Sequence, residues 1–120
     1  MKKSDEQDKI IASMTFSSIY PLYKAKVLKK GRTEKELLTV IEWLTGFDQE
    51  KIMFYIDQQA TFLEFFKAST LNPKASLIKG MICGSRVEEI DNTLTQKVRY
   101  LDKLVDELAK GKSMDKILRK

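Results

Sequence analysis

TLTQKVRYLDKLVDELAK, residues 93–110, decides the fold class. Leu94, Val98, Leu101, Leu104 or Val105, and Leu108 recur at a spacing near 3.5, which draws one apolar stripe down a helix of about four or five turns. Asp91-Asn92-Thr93 in front reads as a break followed by a cap, and Lys110 precedes a stop at Gly111. A stripe of this width needs other apolar faces to cover it, so the neighbouring segments are expected to be helices as well. Beyond the stop, Ser113 and Asp115 open a last short helix holding Met114, Ile117 and Leu118.

Working back toward the N-terminus, the same punctuation recurs. Thr33-Glu34-Lys35-Glu36 matches a capping box, in which the Thr hydroxyl and the Glu carboxylate three residues later satisfy each other's orphan N–H groups. Leu37, Ile41 and Leu44 follow at helical spacing until Gly46. Asp48 caps a segment through Ile52, Tyr55 and Ile56; the run 52–56, IMFYI, also suits a buried strand, but its helical neighbours and short loops favour helix. Thr61 caps a short helix over 62–69, where Phe62, Phe65 and Phe66 form one aromatic face. Asn72-Pro73 breaks the chain, Ser76 is read as the cap of a short segment over 77–84, and 86–90 adds a turn or two.

Ser17 reads as the cap of a helix with Pro21 in its first turn and an apolar side of Tyr20, Leu22, Tyr23, Val27 and Leu28, ending at Gly31. Residues 4–13 suit a short helix capped by Ser4, and 1–13 is expected to be the least ordered part of the chain. The sum is an all-α domain spanning residues 1–120: a compact orthogonal bundle of about seven short helices with a longer one near 93–110.

Composition narrows the chemistry. The chain has 120 residues, no histidine and one cysteine, Cys83. Without histidine, Ser-His-Asp and Cys-His catalysis are excluded, and with one cysteine so are ordinary structural zinc sites. The sequence calls for no cofactor and no metal, although an oxygen-only site for a hard cation stays open. A lone thiol, no signal peptide and no run of about 20 apolar residues point to a cytoplasmic protein with no membrane partner.

Long stretches carry a family resemblance: TFSSIYPLYKAKVLKKGRT (15–33), IEWLTGF (41–47), LNPKASLIKGMICGSRVEEI (71–90) and VRYLDKLVDELAKGKSMDKILR (98–119). They resemble a bacterial family designated domain of unknown function 2200 (DUF2200), over about residues 14–119. The resemblance implies a small all-helical domain. It supplies no catalytic residue, because no activity is established for that family. Thr93 stands where the family often has Pro, and both residues suit a helix start.

Two candidate sites follow from the residues. The first is a polar cluster of Arg86, Glu88, Glu89, Arg99, Asp102, Lys103 and Asp106. Asp102 and Asp106, at i and i+4, share a helix face. They suit either a hard cation or a pairing with Arg86 across two helices; the plainer alternative is a solvated face of weak ion pairs. The second is a basic run of Lys24, Lys26, Lys29, Lys30 and Arg32, with Tyr20 and Tyr23 placed to stack on bases, and a further patch of Lys110, Lys112, Lys116, Arg119 and Lys120. Cys83, near Arg86, is either a reactive thiol or a small buried hydrophobe. Gly80, Gly84, Ser85 and Ser76 offer a weak anion cradle that matches no phosphate-loop spacing. Trp43, Phe47, Phe54, Phe62, Phe65 and Phe66 read as core, with any surplus forming an apolar groove for a partner helix or a second copy.

Three functions fit, with separate requirements. A non-enzymatic interaction module, with a protein partner or as a homo-oligomer, requires an exposed apolar patch. A nucleic-acid-associated protein requires both lysine patches on one face. An enzyme of Arg/carboxylate chemistry around residues 86–107 requires Arg86 and the acids to converge in a pocket with raised carboxyl pKa values.

Overall fold

In the computed structural model, which describes residues 3–82 and 84–119 with side chains from residue 8, the helix at Thr93–Ala109 (α6) runs through the middle of the protein. Around it stand α1 (Lys3–Ser13), α2 (Phe16–Lys29), α3 (Glu34–Thr45), α5 (Phe62–Ala68) and the four-residue α7 (Met114–Ile117), all packed on α6, while α4 (Gln49–Asp57) packs on α2 and α3. Both Leu104 and Val105 are buried, along with Val98, Tyr100, Leu101, Leu108 and Ala109. The buried face is wider than the single stripe of the sequence because helices cover α6 from several sides.

The caps explain most boundaries. Thr33 and Glu36 complete the capping box of α3, and Thr61 with Glu64 completes a second one on α5. Asp48 accepts from the Lys51 N–H at 2.8 Å, so the ambiguous run at 52–56 is helix α4. Gly46 ends α3 in the left-handed region at φ 75°; a side chain there would also crowd the Thr70 carbonyl. The loop 70–72 then satisfies the orphan carbonyls of α3: Thr70 N–H donates to Thr45, Asn72 N–H to Leu44, and the Asn72 amide to Trp43.

Three local expectations need correction. α2 starts at Phe16, capped by Thr15 rather than Ser17, because Phe16 N–H donates to Ala60 and Phe62 N–H to Met14, which ties the starts of α2 and α5 together. Pro21 therefore lies in the second turn of α2, beyond the first. The segment 77–84 is not a helix either. Asn72, not Ser76, caps a 3-10 turn at Pro73–Leu77, and a two-residue hairpin follows, β1 (Met81–Ile82) paired antiparallel to β2 (Ser85–Arg86), with Met81 opposite Arg86 and Ile82 opposite Ser85. Gly80 and Gly84, at φ 114° and 83°, hold conformations that a helix does not contain. A second 3-10 turn, Val87–Glu89, leads to α6, which Asn92 caps. Helix α1 begins before Ser4, so Ser4 lies within it. Ile11 of α1 is buried, and the Thr95 hydroxyl donates to Asp8 at 2.5 Å.

Phe65 anchors the aromatic half of the core. It stacks on Phe16 at 4.3 Å between centroids and meets Phe47, Tyr55 and Phe66 edge-on. Phe54 departs from the core reading and is half exposed on α4. Truncating Leu104, fully buried at the centre, to Ala is expected to cost about 3 kcal/mol, whereas Leu77→Ala, on an exposed side chain, is expected to change stability by under about 0.5 kcal/mol. Urea unfolding of the two variants checks the difference.

Candidate functional site

The last turns of α2 and α6 end side by side, and the charges there fall into adjacent groups. Arg32, just beyond α2, donates from Nη1 to the Lys112 carbonyl at 2.8 Å, and its Nε and Nη2 grip both oxygens of Glu36. Asp106 of α6 lies 3.6 Å from Lys26 Nζ and 3.1 Å from Lys110 Nζ. Glu107 is buried, forked by Arg119 Nη1 and Nη2 at 2.9 and 2.8 Å and approached by Lys112 at 3.5 Å. The two basic patches of the sequence, 24–32 and 110–119, therefore share one end of the molecule. Lys24 pairs with Glu34 at 3.4 Å, while Lys29, Lys30 and Lys116 are exposed with no counter-ion among the described residues. Lys120 lies outside the described residues.

Two of these groups are layered. Lys110 is 71% exposed over an Asp106 side chain that is 17% exposed, and Lys112 is 50% exposed over a Glu107 at 4%. These two carboxylates thus face inward and their ammonium partners outward, whereas Glu34 and Glu36 stay partly exposed. Burial raises the Asp106 pKa, but the hydrogen bond and charge of Lys110, with Lys26 and Lys103, outweigh it and hold the group below its ordinary value. The Thr33 N–H, aided by Arg32, lowers Glu36 in the same sense.

The polar cluster divides into separate groups. Asp102 accepts from the Tyr23 phenol and from Arg99 Nη1 at 2.7 Å; Asp106 has its own lysines. The two acids share a face, as their spacing implies, but each carries separate counter-charges. Arg86 does not reach them: it sits on the hairpin, 3.7 Å from Glu88. Glu88 accepts the Gly80 N–H, which holds its carboxyl low and occupies a donor of the proposed anion cradle; Ser76 turns back to the Pro73 carbonyl. Glu89 is exposed, and Lys103 donates to the Met81 carbonyl. The carboxyl groups with a resolved shift, Glu36, Glu88 and Asp106, all move down, opposite to what acid catalysis in a pocket requires. No group of three or more potential metal-ligating side chains occurs among the described residues. Cys83 lies outside them.

The stacking role read for the tyrosines is not met. Tyr20 and Tyr23 are buried, with hydroxyls bound to Glu34 (2.8 Å) and Asp102. Burial, reinforced by the Glu34 carboxylate, pushes the Tyr20 phenol far above its usual value. The pairing of Glu107 with Arg119 is not among the sites expected from the sequence. The signal is present: Glu107 stands three residues after Leu104 and seven after Tyr100, on the buried side of α6.

Removing Arg119 would leave the buried Glu107 with only the longer contact to Lys112. Arg119→Ala is expected to cost about 2–3 kcal/mol, while Lys116→Ala stays within about 0.5 kcal/mol, read by urea unfolding. Asp106 sets a pH dependence. A carboxyl whose folded pKa is depressed stabilises the fold above its unfolded value, near 3.9, and loses that contribution as pH falls through the lower folded value. The stability advantage of the natural chain over Asp106→Asn is therefore expected to be constant from about pH 5 to 7 and to shrink below about pH 4.

No helix among the described residues is long and apolar enough to cross a membrane. No curated protein matches the chain. The crystal structure of the uncharacterized protein SP1917 matches this fold with a TM-score of 0.86 and 39% sequence identity, covering 92% of this chain and 91% of that one. Residues 10–119 match the family described as an uncharacterized protein conserved in bacteria, DUF2200, a range that includes both basic patches apart from Lys120. The chain belongs to this bacterial family.

Proposed function

We propose that the protein is a non-enzymatic cytoplasmic binding module that docks its basic end on the phosphate backbone of nucleic acid. The observation that carries this reading is the layering of charge where α2 and α6 end. Nine basic side chains from the two patches stand against four paired carboxylates; Asp106 and Glu107 are turned inward beneath lysines, Glu34 and Glu36 are partly exposed, and Lys29, Lys30 and Lys116 carry no counter-ion among the described residues. Over Asp106 and Glu107 an approaching phosphate meets ammonium groups first, and their field extends over roughly a Debye length, about 8–10 Å at physiological salt. The same lysines also complement the negative ends of two helix dipoles, which offsets part of the excess and leaves the end basic.

Binding is favoured over chemistry because the polar groups are engaged with one another and the shifted carboxyls are held ionised. A charged docking surface is favoured over an apolar one because the exposed large apolar side chains come singly or in pairs from six different elements. Ile10, Leu22, Leu28, Phe54, Leu63, Leu77 and Met81 are spread over α1, α2, α4, α5, the first 3-10 turn and the hairpin. The cytoplasmic assignment rests on the single cysteine of the sequence.

Fluorescence anisotropy with labelled oligonucleotides tests the reading. With about four phosphates engaged, affinity is expected to fall about 100-fold between 50 and 200 mM salt. Reversing Lys29, Lys30 and Lys116 to Glu is expected to abolish binding without changing the urea midpoint by more than a few tenths of a molar. No binding at low salt, or binding indifferent to the triple reversal, contradicts it.

A further inference from the structure

We infer that the basic end recognises double-stranded nucleic acid by its charge density alone, with neither base stacking nor base-edge readout. This inference rests on the reading of the basic end as a phosphate-binding surface and specifies what that surface can discriminate.

Single-strand binders pair a basic groove with exposed aromatic or guanidinium planes on which bases stack. Sequence readers extend forked side chains to base edges, most often arginine to guanine. At this end each such group is already committed. Tyr20 and Tyr23 are inside the protein, with their hydroxyls given to Glu34 and Asp102. Arg32 and Arg119, whose side chains are 15% and 17% exposed, spend their forks on Glu36 and Glu107. Arg99 lies against Asp102, and the exposed Arg86 is on the hairpin beside Glu88.

The half-exposed aromatic Phe54 belongs to another surface. It shares a cleft with Asp48, Glu50 and Asp57, whose carboxylates repel phosphate, and Lys51 Nζ stands 5.4 Å from its ring centroid. The cations that face outward at the basic end are lysines, Lys26, Lys29, Lys30, Lys110, Lys112 and Lys116, with the exposed Leu28 and Asp115 beside them.

A lysine ammonium is a compact point charge with no plane to stack and no fixed fork. A surface built from it responds to how many phosphates lie within reach. A duplex places one charge per about 1.7 Å of axis and condenses more counter-ions than a single strand, so it releases more on binding, with a salt slope of about −0.9 per contact against about −0.7. Duplex preference and indifference to sequence follow together.

The experiment uses the full chain and four labelled 20-mers: an A·T-rich duplex, a G·C-rich duplex, and one single strand from each, the A·T-rich strand carrying 2-aminopurine. The expected result is equal affinity for the two duplexes within about twofold, single strands weaker by about fivefold or more, and no change in 2-aminopurine emission beyond that of free strand. Tighter binding of the single strands, a change in 2-aminopurine emission on binding, or a tenfold preference between the duplexes overturns the inference while leaving phosphate binding standing. Failure of every oligonucleotide to bind at about 50 mM salt overturns the phosphate reading as well, as does binding only to phosphatidylserine vesicles included in parallel.

Discussion

The structure depends on keeping α6 dry. Val98, Leu101, Leu104, Val105 and Leu108 are buried to within a few per cent, and each buried aliphatic side chain contributes roughly 1.5–3 kcal/mol relative to its exposed state. One helix cannot dry itself, so α1, α2, α3, α5 and α7 are drawn onto it, and the short loops between them fix the order in which they arrive. Bringing α2 alongside α6 in this way puts their C-terminal turns together. The basic end is a consequence of that packing, because the lysines that suit each helix terminus separately are left on neighbouring ends.

Arg32 makes the consequence structural. Its guanidinium bridges the Glu36 carboxylate of the α3 capping box and the Lys112 carbonyl between α6 and α7. Below it, the buried Glu107 collects Arg119 and Lys112 and so fastens α7, a helix of four residues that could not hold itself. Arginines serve the interior of these groups and lysines their surface. The division follows from hydration: the weakly hydrated, forked guanidinium tolerates partial burial against a carboxylate, while the ammonium prefers water.

Helix positions were legible in the sequence because the punctuation is explicit. Thr33, Asp48, Thr61 and Asn92 cap where their side chains accept a backbone N–H, and Gly46 stops a helix where only a residue without Cβ is unstrained. The errors share one cause. Ser17 gave way to Thr15 because a backbone bridge to the start of α5, some 45 residues away, fixes the register, and the hairpin at 81–86 owes its form to the pairing of Gly80, Val87 and Glu88. Local helix propensity contains neither the long-range bridge nor the bonds between Gly80 and residues seven and eight positions on that close the hairpin. The candidate site was half legible in the same way. The lysine runs are plain in the sequence, but the inward turn of Asp106 and Glu107 and the burial of Tyr20 and Tyr23 are decided by tertiary packing.

If the ends of α2 and α6 act as one surface, titrating a 20-base-pair duplex into ¹⁵N-labelled protein at low salt will show it in the amide shifts. The amides around Lys29, Lys30, Lys110, Lys112 and Lys116 are expected to move together along one binding isotherm, while those of α4 and the β1–β2 hairpin stay fixed. Shifts confined to α4 or the hairpin, or to only one of the two helix ends, would contradict a single shared surface.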